Sequence, residues 1–265
     1  MELTDNQDDW QSRTRLLLGT SPAERLFRSH VAVIGLGGVG GIAAEMLARS
    51  GIGEMTIVDG DVFDATNRNR QIGALISTTG RNKAEAMSER LHDINPDLRI
   101  HTVSSFLKDE KDIAQLFQKS YNCACVLDAI DSISPKVSLI LYCLRNRLPI
   151  VSCMGSGARL DPEKVCCTDI SKTQYCGLAR AVRQRLRREG ITTGLDVIFS
   201  TEIPIRSSTV SCSEEDENEL HKKSTTGTVS YMLTIFGCHC AAAVIRKIIS
   251  ADVSGSRPDC AAHGS

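Results

Sequence analysis

Apolar and polar positions along this chain fall into blocks whose period changes. "VAVIG" (31–35) is continuously apolar, "IAAEMLARSGIG" (42–53) has apolar residues at helical spacing, and "EMTIVD" (54–59) is apolar again. The glycine-rich "LGGVGG" joins the first run to the second. Continuous runs on either side of a helical period predict a βαβ unit in a covered parallel sheet. Further strands are expected at 99–103, 123–127, 149–153 and 164–168, with helices at 82–94 and 135–145. Alternation of this kind predicts an α/β fold: a doubly wound, Rossmann-like, mostly parallel sheet whose ligand crevice lies beyond the carboxyl ends of the strands.

The second half reads differently. A strongly basic helix is expected at 174–189, a strand at 195–200, and a long small-residue helix at 228–249. Between them "SCSEEDENELHKK" (211–223) is too poor in apolar residues to pack. The expected organisation is a helical arm at 1–29, a nucleotide-type core at 30–170, a smaller C-terminal α+β extension at 171–250 with a mobile loop at 206–224, and a disordered tail at 251–265. The extension is expected to serve substrate binding and dimer contacts.

At 265 residues the chain suits one large core domain. A net charge of -1 excludes a global positive field, so any polyanionic partner must be held locally. Eleven cysteines without a secretory leader point to reduced thiols and a cytoplasmic protein. The apolar run at 235–245 is too short to span a bilayer, so a soluble protein is expected.

Gly35, Gly37 and Gly40 form GxGxxG directly after a strand and into a helix. Glycines there allow a tight turn and close approach of backbone N–H groups to phosphate, and the helix start favours negative charge. Asp59 lies nineteen residues past Gly40, at the end of the next strand, where a carboxylate can accept from ribose hydroxyls. The fingerprint alone fits NAD as well as ATP.

The following stretch, "DATNRNRQ" (64–71), separates the two. A dehydrogenase has little use for several cations around one phosphate. Asn67, Asn69, Arg70 and, at a helix entry, Lys83 offer donors suited to a triphosphate and to the charge that grows when its α-phosphorus is attacked. Turn formation by the asparagines, and a solvated helix start for Arg70 and Lys83, are the competing readings. Asp128 and Asp131 in "VLDAIDS" end a strand at the same sheet edge, and either can hold Mg²⁺; Asp131 is the better placed, and Asp128 alternatively caps the turn.

Together, "GLGGVGG", "IVDGD", "TNRNRQIGAL", "GRNKAEAM", "INPD", "VLDAIDS" and "VIFSTE" resemble the ThiF-like, ubiquitin-activating superfamily of adenylating enzymes, from about Trp10 to Ile249. Within it, "NRNRQIGAL", "DAIDSISPK", "LDP" and "DVIFSTE" are most similar to the tRNA threonylcarbamoyladenosine dehydratase group. The resemblance implies ATP and Mg²⁺, a tRNA substrate, a homodimer, and a sulfur-transfer or other accessory protein as a further partner. It implies Gly38 facing the phosphates, Asp59 on the ribose, Asn67, Asn69, Arg70 and Lys83 on the triphosphate, and Asp131 on Mg²⁺. It also implies an arginine crossing into the neighbouring protomer's site; Arg15 in "RTRLLLG" fits, with Arg13 as the alternative.

Members of the superfamily often carry a cysteine ahead of the C-terminal helix, where this chain has "HKKSTTGTVS", with Lys222 or Lys223 near that place and Cys212 farther off. Direct ring closure from an adenylate needs no cysteine. Zinc-bearing members use two CxxC pairs; here Cys166, Cys167, Cys176, Cys238 and Cys240 form none, which speaks against zinc and against a sulfur-carrier substrate. "RAVRQRLRR" (180–188) carries five arginines, either for tRNA phosphates or as a solvated face balanced by "EEDENE". Adenylation of a protein C-terminus, a non-catalytic nucleotide-binding regulator and an NAD-dependent dehydrogenase are the rival readings.

Overall fold

A computed structural model describes residues 10–118, 123–211 and 224–250. Two short helices, α1 (Ser12–Leu18) and α2 (Thr20–Arg28), lead into β1 (His30–Ile34), α3 (Gly40–Arg49) and β2 (Glu54–Val58). Then come α4 (Lys83–Ile94), β3 (Arg99–Val103), α5 (Glu110–Gln118), β4 (Cys123–Asp128), α6 (Ile133–Arg145) and β5 (Ile150–Cys153). The chain continues through β6 (Val165–Asp169), α7 (Gly177–Arg188), β7 (Asp196–Ser200), β8 (Thr209–Ser211), β9 (Ser224–Thr226) and α8 (Ser230–Ile249).

Seven strands form one sheet in the order β3-β2-β1-β4-β5-β7-β6. All neighbours are parallel except β6, which runs antiparallel to β7. Every residue of β1 is buried, as expected of a central strand covered on both faces. The chain order reverses between β1 and β4, whose ends Ile34 and Asp128 are in register. That reversal opens the crevice at the carboxyl edge.

Helices cover both faces. On one, Leu47, Met87, Phe236 and Val244 of α3, α4 and α8 pack with Val33 and Leu127. On the other, Ile113, Leu139 and Val182 of α5, α6 and α7 pack with Ile34, Val126 and Phe199. The observed α/β architecture is the expected one, but its C-terminal part is woven in: β7, beyond residue 170, enters the main sheet between β5 and β6.

Several expectations change in detail. The apolar segment judged too short for a bilayer belongs to α8, which by length and composition alone could cross one. Half of its apolar window is buried inside the protein, where it packs against α3 and the sheet as a core helix. The basic helix begins at Gly177 instead of 174, because Tyr175 takes a left-handed backbone (φ 52°) that no helix interior accepts. The expected 206–224 loop has paired ends, β8 against β9, and its residues 212–223, with Cys212, Lys222, Lys223 and "EEDENE", lie outside the described residues. The 251–265 tail and residues 1–9 of the arm lie outside them too. Helix α5 occupies a stretch for which the pattern along the chain names no element.

Candidate active site

The site grows out of the β1–α3 turn. Gly35 has φ 92°, and a Cβ there would sit 2.9 Å from the Ala129 carbonyl oxygen. A Cβ on Gly40 would lie 1.8 Å from the Gly35 oxygen, so only glycine lets the turn fold back on itself. Gly38 is bare for another reason: its missing Cβ would meet Leu233 Cδ2 of α8 at 2.1 Å and the Arg70 oxygen at 3.0 Å. The turn is thus clamped between α8 and the "DATNRNRQ" stretch.

Asp59 ties β2 to this turn. Its Oδ2 accepts the Leu36 N–H at 2.7 Å, and its Oδ1 accepts the Asp61 N–H at 2.9 Å. Burial raises the carboxyl above its usual range against the pull of Lys83 and these two amides. Each oxygen keeps a lone pair, so a sugar hydroxyl can still donate to it.

Lys83 opens α4 behind the Asn82 cap, whose Oδ1 accepts from the Ala84 and Glu85 amides. The lysine is buried, and its Nζ lies 3.0 Å from Asp61 Oδ2, while its N–H donates to the Asp61 carbonyl. It is not the solvated helix start that composition alone allows. Asp61, two residues beyond Asp59 in "IVDGD", is a participant the sequence reading did not single out.

The polar octet first bonds to itself. Asp64 and Asn67 cap the 3₁₀ turn Ala65–Asn67 reciprocally, Asn67 Oδ1 accepting from the Asp64 N–H at 3.2 Å. Arg70 Nη1 donates to the Thr66 carbonyl at 2.8 Å and to Asn69 Oδ1 at 2.9 Å. Asn67 therefore does form a turn, and that turn places the Arg70 backbone against Gly38. Gln71, nearly buried, brings Nε2 to 3.9 Å from where a Gly37 Cβ would be, and its Oε1 has no partner. A buried amide facing a phosphate-type turn is a second participant missed in the sequence; its place at the end of the octet was the available signal.

A glycine turn, an acid on the neighbouring strand, and a self-braced basic loop at the same sheet edge make a mononucleotide site with extra donors. The ThiF family profile matches residues 11–261. The chain belongs to the ThiF family. A Bacillus subtilis protein named tRNA threonylcarbamoyladenosine dehydratase is 44% identical, over 73% of this chain and 75% of its own length. An Escherichia coli protein of the same name is 42% identical, over 74% and 75%. The crystal structure of the E. coli enzyme TcdA in complex with ATP superposes with a TM-score of 0.80 at 36% identity, covering 92% of this chain and 97% of that one.

In this ThiF-family chain Asp128 caps its turn, accepting the Ile130 N–H at 3.0 Å, and does more: fully buried, it also lies 2.6 Å from Lys136 Nζ and 2.5 Å from Ser152 Oγ. Its Oδ2 is occupied by Lys136 and Ser152 inside the core. Asp131 is exposed in the β4–α6 loop and accepts from Ser132 Oγ at 3.3 Å. One or two carboxylates plus substrate phosphates are how Mg²⁺ is commonly held, and Asp131 fits that donor set.

Arg15 is far from its own chain's turn. Its N–H bonds the Gln11 carbonyl, and Gln11 Nε2 bonds the Arg49 carbonyl at the far end of α3. Ten residues of helix put Gly40 about 15 Å away. Among the described residues no three His, Cys, Asp or Glu side chains gather as a metal cluster. Burial pushes the Cys123 thiol up to about 11 and Cys125 to about 12, and it raises Cys166, Cys167 and Cys238, so these are poor nucleophiles.

Proposed function

We propose that this chain catalyses the ATP-dependent dehydration of threonylcarbamoyladenosine in tRNA by adenylating the modified nucleoside's carboxylate. The observation that carries the reading is the clamp of the "DATNRNRQ" stretch onto the glycine turn, with Arg70 against Gly38 and Gln71 against Gly37. A hydride-transfer site has no need of it. The names of the relatives agree with the reading.

The chemistry follows from the placement. Asp59 orients the ribose, and the turn's amides, Lys83 and the remaining donors of Arg70 take the charge that builds on the phosphates as the threonine carboxylate attacks the α-phosphorus and pyrophosphate departs. The substrate's own carbamoyl group then closes a ring on the activated carbonyl, and AMP leaves with the carboxylate oxygen. Asp131 would hold Mg²⁺, which supplies further neutralisation of phosphate oxygens when bound.

A homodimer completes the site in this reading. Helix α1 buries no residue of its own, and Leu16 and Leu17 beside Arg15 are 88% and 83% exposed. A neighbouring protomer would cover them and receive Arg15. The tRNA phosphates would meet the arginines of α7. All cysteines among the described residues are free thiols, which suits a cytoplasmic enzyme.

The test is incubation with ATP and tRNA bearing threonylcarbamoyladenosine. Loss of one water from the nucleoside, matched by AMP and pyrophosphate, is the expected result. ATP consumption that requires a protein C-terminus, or turnover of nicotinamide, overturns the reading.

A further inference from the structure

A cavity of about 260 Å³ lies at the start of α7, lined by Tyr175, Cys176, Gly177, Arg180 and Arg183. It opens on the same sheet edge as the glycine turn. A Cβ on Gly155, two residues past β5, would lie 3.3 Å from Cys176 Sγ, so the carboxyl end of β5 abuts the cavity wall. Strands β1, β4 and β5 are successive neighbours, which puts the end of β5, the strand whose carboxyl end the cavity abuts, about 10 Å along the sheet from β1 and its turn.

Its aromatic wall is held out deliberately. Tyr175 is 52% exposed in a left-handed backbone that an aromatic residue rarely adopts. Its carbonyl accepts Nη2 of Arg159 at 2.8 Å, and Arg159 is itself buried, with Nη1 on the Glu202 carbonyl. A buried guanidinium therefore fixes the backbone that presents an exposed ring. Arg183 is braced in turn on the carbonyl and hydroxyl of Thr173. Exposed Arg180 has no ion pair among the described residues.

We propose that this cavity is a single-nucleotide subsite for RNA, in which Tyr175 stacks on an unpaired base beside the target adenosine and Arg180 meets its phosphate. Stacking on an aromatic ring with a nearby guanidinium is how proteins take hold of single-stranded RNA. The volume is below the roughly 300–1,000 Å³ that encloses a whole drug-sized ligand, so it suits one base and not a second triphosphate. Cations without an acidic partner among the described residues suit a polyanion. The inference rests on the tRNA reading above but adds a contact that discriminates loop from duplex.

The experiment measures binding of an anticodon stem-loop RNA carrying threonylcarbamoyladenosine to the full chain and to the variants Tyr175→Asn, Tyr175→Phe and Arg180→Glu. Asparagine tolerates the left-handed backbone, so Tyr175→Asn removes the ring without straining the turn. It is expected to weaken RNA binding roughly fivefold to a hundredfold, with Tyr175→Phe staying within about twofold. Arg180→Glu should lower the salt dependence by about one unit of log–log slope, which Tyr175→Asn should leave unchanged. ATP affinity should hold in all three. Binding by Tyr175→Asn within about twofold of the parent, or equal losses in the Asn and Phe variants, overturns the subsite. Because binding is read without turnover, a parent that binds this RNA yet releases no pyrophosphate sinks the catalytic reading and leaves the subsite to be decided on its own.

Discussion

Lys136 Nζ sits 2.6 Å from Asp128 Oδ2, and neither side chain is exposed to solvent. The pair joins the second turn of α6 to the end of β4, and Asp128 also holds the Ile130 amide of the loop that carries Asp131. Lys136→Met strands a buried carboxylate and should cost about 3–5 kcal/mol in urea unfolding. The double variant Asp128→Asn/Lys136→Met buries no charge and should be the more stable of the two. A single variant that loses less than about 1 kcal/mol would show the pair to be incidental.

Gly38 and Leu233 make a second coupled pair. Gly38→Ala drives a methyl into Leu233 Cδ2 and should destabilise by about 1–3 kcal/mol. Leu233→Ala vacates the space, so the double variant should be more stable than the summed singles by at least about 0.5 kcal/mol. The contact with the Arg70 oxygen remains in the double variant, and ATP affinity should therefore stay depressed. Strict additivity would remove α8 from the account of this turn.

How much of this was open to reading beforehand depends on whether a contact is local. Strands β3 and β5, the Asn82-capped α4, the glycine turn and Asp59 are declared by runs and spacings within a few residues of each other. The Asp128–Lys136–Ser152 network joins three elements, and nothing in "DAIDSISPK" distinguishes a buried lysine from a solvated one. The reversal of β6 against β7 is likewise a property of the sheet and not of either strand. For Asn67 the structure shows the turn-forming reading, and that turn sets the Arg70 backbone against Gly38.

Asp59 should leave a signature in pH. Its carboxyl is raised in the folded chain, so the native state binds that proton more tightly than the unfolded one, whose value is near 3.8. Ionised Asp59 thus costs stability at neutral pH, a cost that fades as pH falls through the folded value and is gone below 3.8. Binding of adenosine, which carries no titrating phosphate, should weaken over the same window and begin to do so at a higher pH than an ordinary aspartate allows. Asp59→Asn should bind adenosine weakly without that dependence; a parent-like titration in this variant would assign the proton elsewhere.

Arg15 and Arg70 can be separated by mixing protomers. If Arg15 acts across an interface, Arg15→Ala and Arg70→Ala are each inactive alone, yet a hybrid dimer holds one intact site and one doubly defective site. Random reassociation should restore about a quarter of parental pyrophosphate release. No recovery, with hybrid formation confirmed by native mass spectrometry, would place both arginines in one protomer's site. Arg70→Ala alone should lower the rate by about a hundredfold or more, and a loss below about tenfold would remove it from the phosphate.

The seating of β7 between β5 and β6 also bears on how the polypeptide can be made. While synthesis has passed Ile170 but not yet reached Ser200, β5 has a bare flank and β6 has no strand to lie against. A ribosome-bound intermediate of that length presents the adhesive rim of an unfinished sheet, the kind that recruits chaperones or neighbouring nascent chains. Shortening the gene to its nucleotide-binding half would make that transient condition permanent.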